Sequence, residues 1–193
     1  MTDIMKALEE KILQEGVVVD GDILKVDGFV NHQVDVPLMG EIGKDMAEHF
    51  KEQGITKVFT IESSGIAPAL FTAKELGVPL VILKKQQTAD SLKTEVWQTE
   101  VVSYTKDTSY RLTLAKNYIS DEDHVLIIDD FLANGEAATG AIRLIRKAHA
   151  TVAGLGVLIE KAFQPGREKL ESQGIHVYAQ ASIKAFENGK VVF

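Results

Sequence analysis

The sequence predicts an α/β fold, a mostly parallel sheet flanked by helices and built as one domain. Three observations carry that expectation. From residue 57 onward, short apolar runs alternate with amphipathic segments of helix length, the pattern of strand–crossover–strand units. Several runs are apolar at consecutive positions, as strands covered on both faces are. Chemically distinctive residues then fall just after those runs, where open parallel sheets bind ligands.

The elements follow in order. Residues 4–15 read as a helix with Met5, Leu8 and Ile12 on one face and Gly16 after its end. Two apolar stretches, 17–19 and 23–26, flank Asp20-Gly21-Asp22, which is hairpin punctuation. Pro37 opens a second helix that turns Ile42, Met46 and Phe50 inward and closes at Gly54. Residues 57–61 form a strand, 66–76 a helix ended by Gly77, and 78–83 another strand. The polar stretch 84–96 lacks periodicity and reads as a mobile loop. Residues 101–104 and 110–115 pair as a projecting hairpin. A buried strand spans 124–128, a helix follows at about 137–148, and 151–159 is the next long strand. The tail from about 175 reads as more strand, with Asn188-Gly189 as a hairpin turn.

Composition bounds the function without naming it. The chain has 193 residues, no internal repeat and no linker-like tract, which suits one domain with its own core. With 21 Lys plus Arg against 28 Asp plus Glu, the net charge is −7. That disfavours a nucleic-acid partner, which needs an extended basic surface. No cysteine is present, which removes disulfides, thiolate metal sites and a cysteine nucleophile. No apolar run approaches a membrane span, and the first helix is too charged for a signal peptide. A cytoplasmic location is therefore expected.

The most informative segment runs from His124 to Ala137. Four apolar residues feed a strand that ends in Asp129 and Asp130, and an Ala-Asn-Gly turn then leads into a helix. Amides at such a turn and helix start form an anion cradle suited to phosphate. The two carboxylates beside it suit vicinal hydroxyls or a hydrated Mg2+. The pair reads alternatively as a strand cap, with Asn134 capping the helix.

Residues 125–137 resemble the 5-phosphoribosyl-1-diphosphate motif of the type I phosphoribosyltransferases. The resemblance covers nearly the whole chain. It extends to residues 24–27 with Asn31-His32-Gln33, to residues 60–68, and to residues 159–167. It implies the type I phosphoribosyltransferase fold, with a small hood from about 1–36 and 162–193. Ala133, Asn134, Gly135, Glu136 and Ala137 would wrap the ribose 5-phosphate. Asp129 and Asp130 would hold the ribose 2- and 3-hydroxyls and stabilise charge at the anomeric carbon. Ser63, Ser64 and Gly65 resemble the family's pyrophosphate loop, though an ordinary capping turn fits them equally. Lys84 and Lys85 would reach the diphosphate, or else remain solvated surface charges. Mg2+ is implied as a diphosphate chelate with no protein metal site, and the chain is expected to pair as a homodimer. The segment from about Lys84 to Tyr104 is the candidate lid over an activated ribose that water must not reach. Several relatives carry an Asp where this chain has Ala133, so no general acid is assigned.

The purine side follows from four residues. Lys161 ends the strand 151–159, and a cation there favours a purine 6-oxygen over an amine. Phe163 could stack on the base or pack in the core, and Lys161 could instead pair with Glu160. Asn31 can donate its amide to a 2-oxygen or simply cap a loop, with Leu24 packed nearby. The resemblance thus implies transfer of 5-phosphoribosyl to xanthine. The alternatives are transfer to guanine or hypoxanthine, or a regulator of the same fold that senses the phosphoribosyl ligand.

Overall fold

A computed structural model describes residues 1–86, 93–103 and 108–193. Helix α1 (Asp3–Glu15) is capped by Thr2, whose hydroxyl accepts from the Met5 amide, and it buries Leu8 and Ile12. Strands β1 (Val17–Val19) and β2 (Ile23–Lys25) pair antiparallel across a turn in which Asp20 and Gly21 take positive φ. A single π-helical turn, Asp27–Asn31, buries Phe29 and Val30. Asp35 then caps α2 (Val36–Phe50), accepting from the Leu38 amide at 3.1 Å. Pro37 sits in its first turn, where its missing N–H costs nothing.

The main sheet is assembled from β3 (Lys57–Ile61), β4 (Leu80–Lys85), β5 (Val96–Ser103), β6 (Thr108–Ala115), β7 (His124–Leu132), β8 (Thr151–Lys161) and β9 (Val177–Ile183). Its spatial order is β5-β6-β4-β3-β7-β8-β9. The five strands from β4 to β9 run parallel, and the β5–β6 pair is added antiparallel at one edge. The crossovers carry α3 (Ile66–Leu76), α4 (Glu136–Lys147) and the short α5 (Gly166–Glu171). A second small pair, β10 (Ala185–Glu187) and β11 (Lys190–Val192), turns at Asn188-Gly189, both with positive φ.

Two apolar layers follow from side-chain alternation along β7. Val125 and Ile127 pack with Phe59, Leu83, Val101 and the inward face of α4. Leu126 and Ile128 pack with Met39, Met46 and Phe50 of α2, with Ala69 of α3, and with Leu8 and Ile12 of α1. Helices α2 and α3 cross at Gly43, where a Cβ would lie 2.7 Å from the Phe71 carbonyl carbon.

Several expected boundaries move. Strand β4 begins two residues late and runs on to Lys85. Strand β7 continues through Asp129 and Asp130 to Leu132, because β8 goes on pairing with it as far as Leu132↔Glu160. Strand β5 starts at Val96, so residues 96–103 of the expected lid are sheet. Buried Val101 and partly buried Trp97 pin them to the layer beneath α4. Residues 87–92 and Tyr104 of that expected lid lie outside the described residues. Helix α5 and the π turn were not anticipated, since each is a turn or two long and gives no periodic signal.

One ion pair ties three elements together. Glu160 on β8 is buried and accepts from Arg167 Nε and Nη2, both at 2.7 Å, and from Ser182 Oγ at 2.8 Å. Arg167 also donates to the Val177 carbonyl at 2.9 Å, so the fork joins α5, β8 and β9. Burial alone would raise the Glu160 carboxyl; the Arg167 fork and Ser182 outweigh it and hold it below its ordinary value. A lowered folded-state pKa contributes stability above the unfolded value, and that contribution is lost as pH falls through the folded one. Glu160→Gln should therefore cost about 2 kcal/mol at pH 7, with the gap to the parent protein closing as pH falls below the ordinary carboxyl range. Urea unfolding across that range measures it; a gap independent of pH would refute the assignment.

Candidate active site

The site opens where one ladder stops and its neighbour continues. Pairing of β3 with β7 ends at Phe59↔Ile127, while pairing of β7 with β8 persists to Leu132. Chain order reverses at the same place, since β4 lies on one side of β3 and β7 on the other. Crevices of this kind receive ligands in open α/β sheets. Asp129 and Asp130 stand at its open edge.

The two-residue alternation slips there. Phe131 packs with the layer of Ile128, and Leu132 with that of Ile127, which is out of phase with the residues before the carboxylates. The backbone stabilises the slip locally. The Asp130 amide donates to Asp129 Oδ1 and the Phe131 amide to Asp130 Oδ1, each at 3.0 Å. Asp129 is buried. Burial first, and then the charge of Asp130, push its carboxyl well above the ordinary range, with Lys85 opposing.

Beyond Leu132 the chain makes a tight loop. Gly135 takes φ 76° and caps α4 with no side-chain hydrogen bond, so Asn134 does not cap the helix. The first amides of α4 therefore have no intrahelical or side-chain cap. They border a cavity of about 160 Å³ lined by Ala133, Asn134, Gly135, Glu136, Ala137, Asp129, Tyr110 and Val157, among others. Helix α5 supports the loop from below. The Gly166 amide donates to the Ala133 carbonyl at 3.0 Å, and any Cβ on Gly166 would overlap that oxygen. Lys169 Nζ lies 2.5 Å from Glu136 Oε1.

The second strand-to-helix turn faces the same crevice. Its Glu62–Ser63 peptide bond is cis. Gly65 caps α3 without side-chain help, so neither Ser63 nor Ser64 caps the helix; the Ser63 carbonyl accepts from the Ile66 amide at 3.1 Å. A Cβ on Gly65 would meet Thr60 Oγ1 and Asp129 Oδ1, which places this turn against the carboxylates. Glu62 accepts from the Lys85 amide and lies 3.5 Å from Lys84 Nζ. Lys84 is thus paired with Glu62, whereas Lys85 extends over the Tyr110 ring, 5.2 Å from its centroid, and acts electrostatically on Asp129. Burial, and then the charge of Asp129, raise the Tyr110 hydroxyl. Glu62 falls in the strand-to-helix turn where the sequence places ligand contacts, whereas Tyr110 and Thr60 join this site without being expected there. Nothing in their local sequence sets them apart from ordinary strand residues.

The purine-side residues divide into two groups. Lys161 Nζ donates to the Asp22 carbonyl at 2.7 Å and lies 5.7 Å from the Phe186 centroid. Burial depresses its pKa, with Asp22 opposing. Its expected alternative partner Glu160 is engaged by Arg167, so that pairing does not form. Phe163 stands 46% exposed and meets Phe186 edge to face at 5.7 Å, which removes the core-packing alternative. Phe186, from the short β10, is a further aromatic here that no motif announced. Leu24 is buried in the layer of α1 and α2. Asn31 is exposed and ends the π turn, lining a shallow depression with Asp27, Gly28, His32 and Gln33. None of Lys161, Phe163 or the residues from Ala133 to Ala137 lines that depression.

Comparison with known proteins identifies the fold and the family. A family model described as the phosphoribosyl transferase domain matches residues 36–186. The chain is 57% identical over 189 residues to the xanthine phosphoribosyltransferase of Agathobacter rectalis, covering 98% of each chain. It is 51% identical to the xanthine phosphoribosyltransferase of Bacillus cereus, covering 98% of this chain and 95% of that one. Among solved structures, adenine phosphoribosyltransferase from Trypanosoma brucei superposes with TM-score 0.78 at 16% identity, over 95% of this chain and 82% of that one. The enzyme from Thermoanaerobacter pseudethanolicus gives 0.76 at 22%, over 91% and 99%. The architecture is that of the type I phosphoribosyltransferases. With the family model spanning most of its length and relatives of more than half identity from end to end, the chain belongs to the phosphoribosyl transferase family.

Proposed function

We propose that the protein is a purine-salvage transferase. It moves 5-phosphoribosyl from 5-phosphoribosyl-1-diphosphate to xanthine, giving xanthosine 5-monophosphate and diphosphate. The observation that carries this reading is the placement of Asp129 and Asp130 at the sheet's switch point, directly before an uncapped amide loop. The substrate assignment rests on near-full-length relatives named for xanthine.

In this reading the amides from Ala133 to Ala137 take the ribose 5-phosphate, and Gly135 provides the positive φ that aims them at one point. Asp129 and Asp130 receive the ribose hydroxyls. Their charge, confined in a crevice of low dielectric, stabilises the positive charge that develops at the anomeric carbon as diphosphate departs. Ser63, Ser64 and Gly65 border the diphosphate, with Lys85 and, once freed from Glu62, Lys84 offsetting its charge. The purine nitrogen attacks from the other face, with inversion. Positioning of the two reactants supplies most of the catalysis.

Among the described residues, no group of three or more His, Cys, Asp or Glu is arranged to hold a metal ion. Mg2+ would enter as a chelate of diphosphate oxygens and water, with the adjacent carboxylates of Asp129 and Asp130 suited to its hydration shell, and it would supply charge neutralisation of the leaving group. Residues from about 1–36 and 162–193 would form a hood over the purine within a single domain. The Lys161–Asp22 contact and the Phe163–Phe186 pair, which draw the β1–β2 turn and β10 to the end of β8, support it. A homodimer and a cytoplasmic location complete the reading; among the described residues no helix is long and apolar enough to cross a membrane.

Base specificity supplies the tests. Initial rates should favour xanthine over both guanine and hypoxanthine; equal or better efficiency with guanine would overturn the substrate assignment. Lys161→Ala should reduce kcat/KM about 100-fold for every oxopurine, whereas Asn31→Ala should lose about tenfold for xanthine alone. Full activity of Lys161→Ala would show that the base lies elsewhere.

A further inference from the structure

Thr60 stands at the foot of the crevice. It is one residue beyond Phe59, the last position of β3 bonded to β7, and it is fully buried. Among the described residues, three buried side-chain polar atoms have no hydrogen-bond partner: Thr60 Oγ1 and the amide oxygens of Gln164 and Gln180. Of these, the Thr60 hydroxyl alone can donate. A Cβ on Gly65 would lie 2.5 Å from this hydroxyl oxygen and 3.0 Å from Asp129 Oδ1. Hydroxyl and carboxyl therefore converge on one small space that the glycine keeps open. Burying a hydroxyl without a partner is unfavourable, and valine would fill the same volume without that cost.

We propose that Thr60 is a positioning residue for the phosphoribosyl reaction: its hydroxyl is a donor held in reserve for the Asp129 carboxylate. When the ribose hydroxyls engage Asp129, its carboxylate turns toward Thr60, whose hydroxyl then donates to it, fixes its orientation and keeps it ionised. This rests on the assignment of Asp129 to the ribose. The physical need is plain, because burial and Asp130 both oppose the charged form of Asp129. The other groups acting on that carboxylate are Lys85 on β4 and Tyr110 on β6; Lys85 is the cation among them. A donor to the anionic form favours that form and lowers the pKa of the bound state. Thr60 is placed to supply it without adding a charge that would compete for diphosphate.

The test uses the opposite signs that the two roles imply. Thr60→Val should raise the thermal midpoint by about 2–4 °C, since an unpaired buried hydroxyl is removed. Its kcat should nevertheless fall about tenfold while KM for xanthine stays within about twofold. The acidic limb of its kcat–pH profile should move to higher pH, because Asp129 now holds its proton longer. Thr60→Ser should restore both rate and limb. If Thr60→Val lowers the midpoint, the residue serves packing and the proposal is overturned. If Thr60→Val keeps the parent rate and acidic limb while Asp129→Asn is crippled, the proposal fails and the ribose assignment stands. If Asp129→Asn is fully active, the ribose assignment itself is wrong and the role of Thr60 falls with it.

Discussion

A parallel sheet at uniform pairing has no room for a ligand between its strands. In this protein β3 and β7 part company after Phe59 and Ile127, while β8 holds β7 in the sheet for five residues more. The carboxylates of Asp129 and Asp130, the Gly65 turn and the amide loop before α4 all take their positions from that single divergence. Were β3 to stay bonded through Ile61, its backbone would occupy the space over Asp129. The slip in alternation at the carboxylates belongs to the same event. With a ladder on one side alone, β7 is free to set both acids beside the crevice rather than one on each face.

The charge balance shows why scale matters. A net charge of −7 is the wrong background for a long polyanion, whose binding draws on an extended surface. A single phosphorylated sugar draws on a few atoms. In the proposed site at Ala133 to Ala137 those atoms would be backbone N–H groups, which carry partial positive charge whatever the side chains are. Their geometry is enforced from below. Gly166 bonds to the Ala133 carbonyl, Lys169 pairs with Glu136, and Arg167 ties the whole of α5 to β8 and β9. The short helix α5 thus transmits the rigidity of the sheet to the loop, alongside the packing of Leu132 and Ala137 on the apolar layer.

How much of this was legible in the sequence depended on the range of the interaction. The long elements were readable because their apolar period is local: Ile42, Met46 and Phe50 mark α2, and consecutive apolar residues mark β7. The loop before α4 was readable because Gly135 must supply a positive φ before a helix. Thr60 and Tyr110 were not, because what distinguishes them is proximity to Asp129 across other strands. Glu160 and Arg167 pair over a distance of seven residues through a turn, and the fork that excludes Lys161 from Glu160 exists only in three dimensions. The continuation of β7 past its acids was missed for the same reason. Carboxylates at a strand end look like a boundary unless the neighbouring strand that keeps them in the sheet is known.

The claim on which the rest depends is that one crevice holds both the phosphate and the ribose. A crystal structure of the protein with xanthosine 5-monophosphate tests it most directly. The account requires the phosphate oxygens within about 3 Å of the amides between Asn134 and Ala137, with the ribose hydroxyls on Asp129 and Asp130. A phosphate seated instead at the Ser63 to Gly65 turn, with the two acids facing solvent, would contradict it.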